Sequence, residues 1–193
     1  MNLAQTLGIF LSFYASEERA KSPSGTIQVP FPGPVAAYIA HHTDISQRTL
    51  AQAHLFFAGA VGSEATVNGE IYNVGDTSSA GTSWAEKWAR LCEYFQLEGT
   101  GPAEDENNEP LHVGEYMWSR RGQWEKWEKD NGLQQGVVQG ASWEFLDIML
   151  GLTVFDRQYD LSKADGAGFL ARQDVIDSYL GVFDTMRAAK MIP

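Results

Sequence analysis

Cysteine is all but missing from this sequence. Cys92 stands alone among 193 residues, so the chain can form neither an internal disulfide nor a thiolate zinc cluster. Cations are scarce as well: 14 Lys and Arg stand against 25 Asp and Glu, a formal net charge of −11. Phosphate backbones and anionic lipid surfaces are bound by clustered cations, so this balance speaks against nucleic acid and membrane as partners. The apolar amino-terminal stretch is too short to span a bilayer, and it lacks the cationic start and cleavage site of a secretory signal. These absences predict a soluble, acidic protein of a reducing, cytoplasmic compartment.

Glycine patterns that hold nucleotides are missing too. A dinucleotide needs a strand, a G-x-G-x-x-G turn and a helix N-terminus, because backbone N–H groups must approach the pyrophosphate. The sequence contains no such triplet, no Walker-type G-x-x-x-x-G-K, no G-x-S-x-G and no H-E-x-x-H. His41 and His42 are adjacent and diverge, while His54 and His112 are isolated, so no metal site is expected. Tyr159 and Lys163 do fit Y-x-x-x-K, the proton-transfer pair of short-chain dehydrogenases. A pattern with so few fixed positions arises often by chance, and its plain reading is a helix-end tyrosine and a surface lysine.

Apolar and aromatic residues are plentiful, at 44% and 12%, which supplies a core for one domain over residues 1–193. Leu3, Leu7, Phe10, Leu11 and Tyr14 repeat with a helical period, and Ile9 and Phe13 widen the apolar face almost all round. Such a helix must be covered by something. Residues 22–39 hold four prolines and two glycines, leaving 26–31 and 35–39 as short extended segments. Asp44 offers an N-cap to a helix through Leu50, His54, Phe57 and Val61, and 70–74 alternates like a strand. Thr82 or Ser83 caps a regular helix with Trp84, Trp88, Leu91, Cys92 and Phe95 on one stripe. Residues 98–110 read as a solvated acidic loop, and 118–131, 142–155 and 174–190 as helices. The last carries Ile176, Leu180, Phe183 and Met186. The fold class is α+β, predominantly helical, with a few short strands.

Several runs are specific enough to carry a resemblance: MNLAQTLGIFLSFYA, VPFPGP, HHTDISQRTLAQAHLFFA, GEIYNVGDT, SWAEKWARLCEYFQLEGTGP, WEFLDIMLGLTVFD and the closing AAKMIP. Together they resemble the progesterone 5β-reductase/iridoid synthase-like reductases, extended short-chain dehydrogenases, and in particular their fungal members. The resemblance covers essentially the whole chain. It implies the C-terminal, substrate-binding lobe of that family, without the Rossmann half that carries the glycine-rich loop and the catalytic Tyr and Lys. It also matches Tyr14 to a family tyrosine, Asp44 and Ser46 to an Asp-x-Ser pair, Phe155 to an aromatic of the substrate pocket, and Asn73 and Asp76 to a strand end.

Two expectations follow from the missing half. Faces that packed against it would be bare, chiefly helix 3–14 and the stripe of helix 84–95, and self-association as a homodimer would cover them. With no pyrophosphate cradle, no cofactor is expected, and side chains cannot supply a hydride. The first functional reading is therefore a cofactor-independent isomerase, cyclase or dehydratase acting on a hydrophobic polyketide- or terpenoid-type metabolite. Tyr14, His42 and Asp44 are its candidate acid–base groups, with Phe10, His41, Trp143 and Phe155 as substrate-binding walls. Plainer roles compete: Asp44 as a helix cap, the histidines as loop residues, Tyr14 as a core aromatic. The alternatives are one half of a split NAD(P)H-dependent enone reductase, and a non-catalytic protein that binds hydrophobic ligands.

Overall fold

A computed structural model describes residues 2–59, 69–103 and 111–193. Helix α1 spans Leu3–Lys21, and Asn2 caps it by accepting a hydrogen bond from the Gln5 N–H at 3.2 Å. Leu7, Ile9, Phe10, Leu11 and Phe13 point all round this helix, and all are fully buried. It is the central post of the molecule, packed by α7 (Trp143–Asp147) and α9 (Val175–Ala188). Close approach to α9 needs Gly8, where an added Cβ would lie 2.9 Å from the Phe183 ring.

The second large contribution comes from α4 (Trp84–Glu93), opened by Ser83, whose N–H donates to Glu86 at 2.7 Å. Its stripe of Trp84, Trp88, Leu91 and Cys92 is fully buried and Phe95 nearly so. Burying each such side chain contributes about 1.5–3 kcal/mol. The two faces expected to be bare are thus covered within one chain, and the case for a homodimer built on them falls away. No helix among the described residues is long and apolar enough to cross a membrane.

Strand β1 (Gln28–Pro30) pairs in parallel with β2 (Glu98–Thr100), Gln28 opposite Glu98 and Pro30 opposite Thr100. The Trp88 indole N–H donates to the Val29 carbonyl at 3.0 Å and ties α4 to this sheet. β2 occupies the start of the stretch read as an acidic loop; residues 104–110 of that stretch lie outside the described residues. The sequence reading also needs correction at 35–39, which form helix α2 (Val35–Ile39) rather than an extended segment. Pro34 has no N–H to satisfy, and its carbonyl accepts from Ala37 and Tyr38, so the proline opens the helix instead of breaking it.

Residues 70–74 form no strand. Their alternation instead places Tyr72 and Val74 against a small second core with Ala53, Phe56, Phe57, Ala164 and Phe169. This core lies on α3 (Gln47–Gly59); Val61, read as part of that helix, lies outside the described residues. The helix expected over 118–131 divides at Arg120 into α5 (Val113–Ser119) and α6 (Arg121–Asp130). The one expected over 142–155 is α7 followed by a π-helical segment, Ile148–Leu152, so Phe155 lies beyond it. The remaining helix, α8, spans Ser162–Gly166. The described residues make an α+β arrangement in which helices predominate.

Candidate functional site

The site grows from the chain around His42. Residues 40–44 run extended, and the His42 N–H and C=O pair with the Thr82 C=O and N–H, both at 2.8 Å. Gly81 makes this pairing possible: its φ is +72°, and a Cβ there would sit 2.8 Å from the His42 carbonyl oxygen. On the other side the Arg157 N–H donates to the His41 carbonyl at 2.8 Å. In extended backbone, residues two apart share a face. His42 and Asp44 accordingly point the same way, with Nε2 3.6 Å from Asp44 Oδ2.

Between them lies a residue that motif reading passed over. Lys87, one turn into α4, is 1% exposed. Its Nζ donates to Asp44 Oδ2 at 2.6 Å and to His42 Nε2 at 2.7 Å, and lies 4.3 Å above the centre of the Trp84 ring. Tyr179, from α9, donates its hydroxyl to Asp44 Oδ1 at 3.1 Å. Both carboxylate oxygens of Asp44 are therefore engaged. So are both ring nitrogens of His42: Nε2 accepts from the ammonium, and Nδ1 faces the Ala40 carbonyl at 3.2 Å as the protonated nitrogen.

Electrostatics follow this geometry. Burial, reinforced by the Lys87 charge, pulls the His42 pKa from 6.5 down to about 4, so the ring is neutral at physiological pH. Burial likewise lowers the Lys87 pKa, opposed by Asp44. Tyr179 is pushed well up by burial and then by the Asp44 charge. The polar cluster holds one carboxylate, one ammonium, a neutral imidazole and a neutral phenol.

His42, Asp44, Tyr179 and Arg157 form the polar side of a cavity of about 440 Å³. Its apolar side is built by Leu3, Ile45, Phe145, Met149, Val175 and Val182. Asp76 also lines it, but its carboxylate is taken up by the Ser46 N–H and the Thr49 hydroxyl at the start of α3. Ser46, not Asp44, caps that helix, its Oγ accepting from the Thr49 N–H at 3.1 Å. Asp44 is thereby released from the capping role its position suggested.

The other residues singled out in the sequence fall elsewhere. Tyr14 is half-buried beside Phe10 and Tyr116, and its hydroxyl donates to the Gln28 carbonyl at 3.3 Å, away from the cavity. Phe10 is core. His41 is exposed, its backbone N–H held by Asp156 at 2.8 Å. Trp143 is buried with its indole N–H on the Val138 carbonyl at 3.0 Å, and Phe155 is 62% exposed. Of the residues proposed as acid–base groups or substrate walls, His42 and Asp44 line the cavity, joined by Ser46 and Asp76, which the family resemblance had matched. Tyr159 lines the cavity, whereas Lys163 bonds Glu70 at 2.6 Å and lies over Tyr72, so the Y-x-x-x-K spacing assembles no pair. Among the described residues no group of three His, Cys, Asp or Glu could hold a metal ion.

Comparison with known proteins adds the lineage. The short chain dehydrogenase sirR of Leptosphaeria maculans is 29% identical over 198 residues, covering 99% of this chain and 46% of that protein. The short chain dehydrogenase ausT of Aspergillus calidoustus is 31% identical over 166 residues, covering 86% of this chain and 39% of its own length. An (S)-8-oxocitronellyl enol synthase of Camptotheca acuminata is 32% identical over 113 residues, covering 57% of this chain and 27% of that enzyme. The chain thus spans less than half the length of these relatives. A family model described as a PRISE-like Rossmann-fold domain matches residues 1–193, and the chain belongs to that family.

Proposed function

We propose that this chain is the substrate-holding lobe of a short-chain dehydrogenase-like reaction, and that its cavity takes a hydrophobic, oxygenated metabolite of the terpenoid or polyketide type. The observation that carries this reading is the two-sided cavity, one wall aliphatic and aromatic, the other a hydrogen-bonded polar floor. The names of the relatives, dehydrogenases and an enol synthase acting on an oxo compound, agree with an oxygenated substrate.

Acid–base turnover by this chain alone is supported less well. A cofactor-independent isomerase, cyclase or dehydratase needs a proton acceptor in reach of the substrate. In this cavity Lys87 and Tyr179 hold the Asp44 oxygens, Lys87 holds the acceptor nitrogen of His42, and Asp76 is bound to the start of α3. The floor offers oriented dipoles, suited to holding a substrate oxygen in one place.

The described residues do not fit a dinucleotide. The sequence has no G-x-G-x-x-G, and β2 does not run into a helix N-terminus within the described residues.

The test is titration of the chain with citral, an acyclic terpenoid aldehyde, followed by quenching of the tryptophans, since the Trp84 ring lies 5.6 Å from the His42 ring. Saturable quenching with no conversion of citral in heavy water supports the substrate-lobe reading. Deuterium incorporation or isomerised product without nucleotide would establish the cofactor-independent enzyme instead. Failure of citral and of a bulkier oxo-steroid to bind would overturn the cavity as a metabolite site.

A further inference from the structure

We infer that the metabolite held in this cavity carries a carboxylate, and that Arg157 is the residue that binds it. The inference rests on the cavity being a metabolite site and names the chemical class of what enters it. It begins with an unmet donor. Arg157 lines the cavity, its Nη2 is buried with no hydrogen-bond partner among the described residues, and its Nη1 makes one long contact, 3.4 Å to the Thr153 carbonyl. A guanidinium has five donors arranged to meet a carboxylate edge-on. A buried donor without a partner is destabilising, and a ligand oxygen placed there would relieve it.

The neighbouring carboxylates do not satisfy this donor. Lys87 and Tyr179 bond the two Asp44 oxygens. Asp76 accepts from Ser46 and Thr49, and Asp156 accepts from the His41 N–H. Among the described residues Arg157 forms no ion pair, although the Asp44 charge acts on it from a distance. Burial pulls the Arg157 pKa down, opposed by that charge.

Long-range attraction cannot explain anion binding here, because the chain as a whole carries a charge of −11. Whatever affinity an anion shows must come from a local contact. Arg157 is placed to make it, since its backbone N–H is fixed to the His41 carbonyl and its position relative to His42 and Asp44 is set by that pairing.

The experiment uses geraniol, citral and geranic acid, which share one acyclic skeleton and differ in the oxygen function. Their affinities at neutral pH are measured by calorimetry for the wild type, Arg157→Gln and Arg157→Lys, with circular dichroism to verify folding. Geranic acid is expected to bind about tenfold or more tighter than geraniol, the worth of one charge-assisted hydrogen bond. Arg157→Gln is expected to erase that preference, lowering geranic acid affinity about tenfold or more and geraniol affinity far less, and Arg157→Lys to keep part of it. Equal binding of the three compounds, or an acid preference that survives Arg157→Gln, overturns the anion assignment and leaves the cavity reading standing. Parallel loss of acid and alcohol binding in both variants also overturns it, by showing a structural role only. If none of the three binds the wild type, the cavity reading fails together with it.

Discussion

Replacing Lys87 with methionine should move the positive charge of the buried cluster onto His42. In the native protein the imidazole is held neutral by burial and by the ammonium 2.7 Å away. A histidine whose folded pKa is depressed contributes fully above its unfolded value, near 6.5, and costs stability as the pH falls toward the folded value of about 4. Lowering the pH from about 8 to about 5 should therefore cost the native protein about 2 kcal/mol through this one residue.

Lys87→Met removes the cation and leaves Asp44 Oδ2 3.6 Å from His42 Nε2 as the dominant neighbour. The His42 pKa then rises from about 4 back toward its unfolded value, since burial, the largest cause of its depression, remains and Asp44 only opposes it. The closer the folded pKa comes to the unfolded one, the less stability the variant loses through His42 as the pH falls. At pH about 8 the variant keeps a buried carboxylate without its cation, a loss of about 3–5 kcal/mol. At pH about 5 a protonated His42 takes over the pairing, and the loss should shrink by up to about 2 kcal/mol, the acid penalty that the native histidine carries. Urea denaturation at the two pH values reads the stability difference, and NMR titration of the imidazole reads the proton. An equal loss at both values, or a His42 that stays neutral in the variant, would refute the proposed exchange of charge.

Two further substitutions probe the same end of the molecule. Tyr179→Phe deletes only the hydroxyl bound to Asp44 Oδ1, and should cost about 1–2 kcal/mol in denaturant unfolding; no change would mean that water replaces the bond freely. Phe155→Ala should alter stability by less than about 0.5 kcal/mol and leave citral affinity unchanged, since Phe155 is largely exposed and lies outside the cavity. A marked loss of binding would return it to the substrate wall that the family resemblance assigned to it.

Much of the fold is written in periodicity. The all-round apolar pattern of residues 3–14 required a buried helix, and the stripe from Trp84 to Phe95 set both the helix and its inward face. What covers those faces was not legible, because periodicity says that a side is buried but not by what. Trp143 and Phe183, far along the chain, serve where a second subunit was expected. Strand β2 escaped notice because Glu98-Gly-Thr is polar. Its ladder depends on Val29 across the sheet and on Gly99 letting α4 come close, with a Cβ at Gly99 lying 2.9 Å from Cys92 Sγ.

At the site, His42 and Asp44 were readable as a pair, since their spacing in extended chain puts them on one side. Lys87 was readable too, had the stripe been followed without regard to polarity. Trp84, Lys87, Trp88 and Leu91 keep the spacing of a single helical face, so a lysine there must be buried, and a buried ammonium must find a carboxylate. Lys87 and Tyr179 hold the two Asp44 oxygens, and Lys87 holds Nε2 of neutral His42, so the two expected acid–base residues become a fixed floor. The cavity-lining group with an unpartnered buried donor beside them, among the described residues, is Arg157. A substrate that met His42 or Asp44 first would have to displace a buried ammonium, at a cost of several kcal/mol, whereas one that meets Arg157 first displaces nothing.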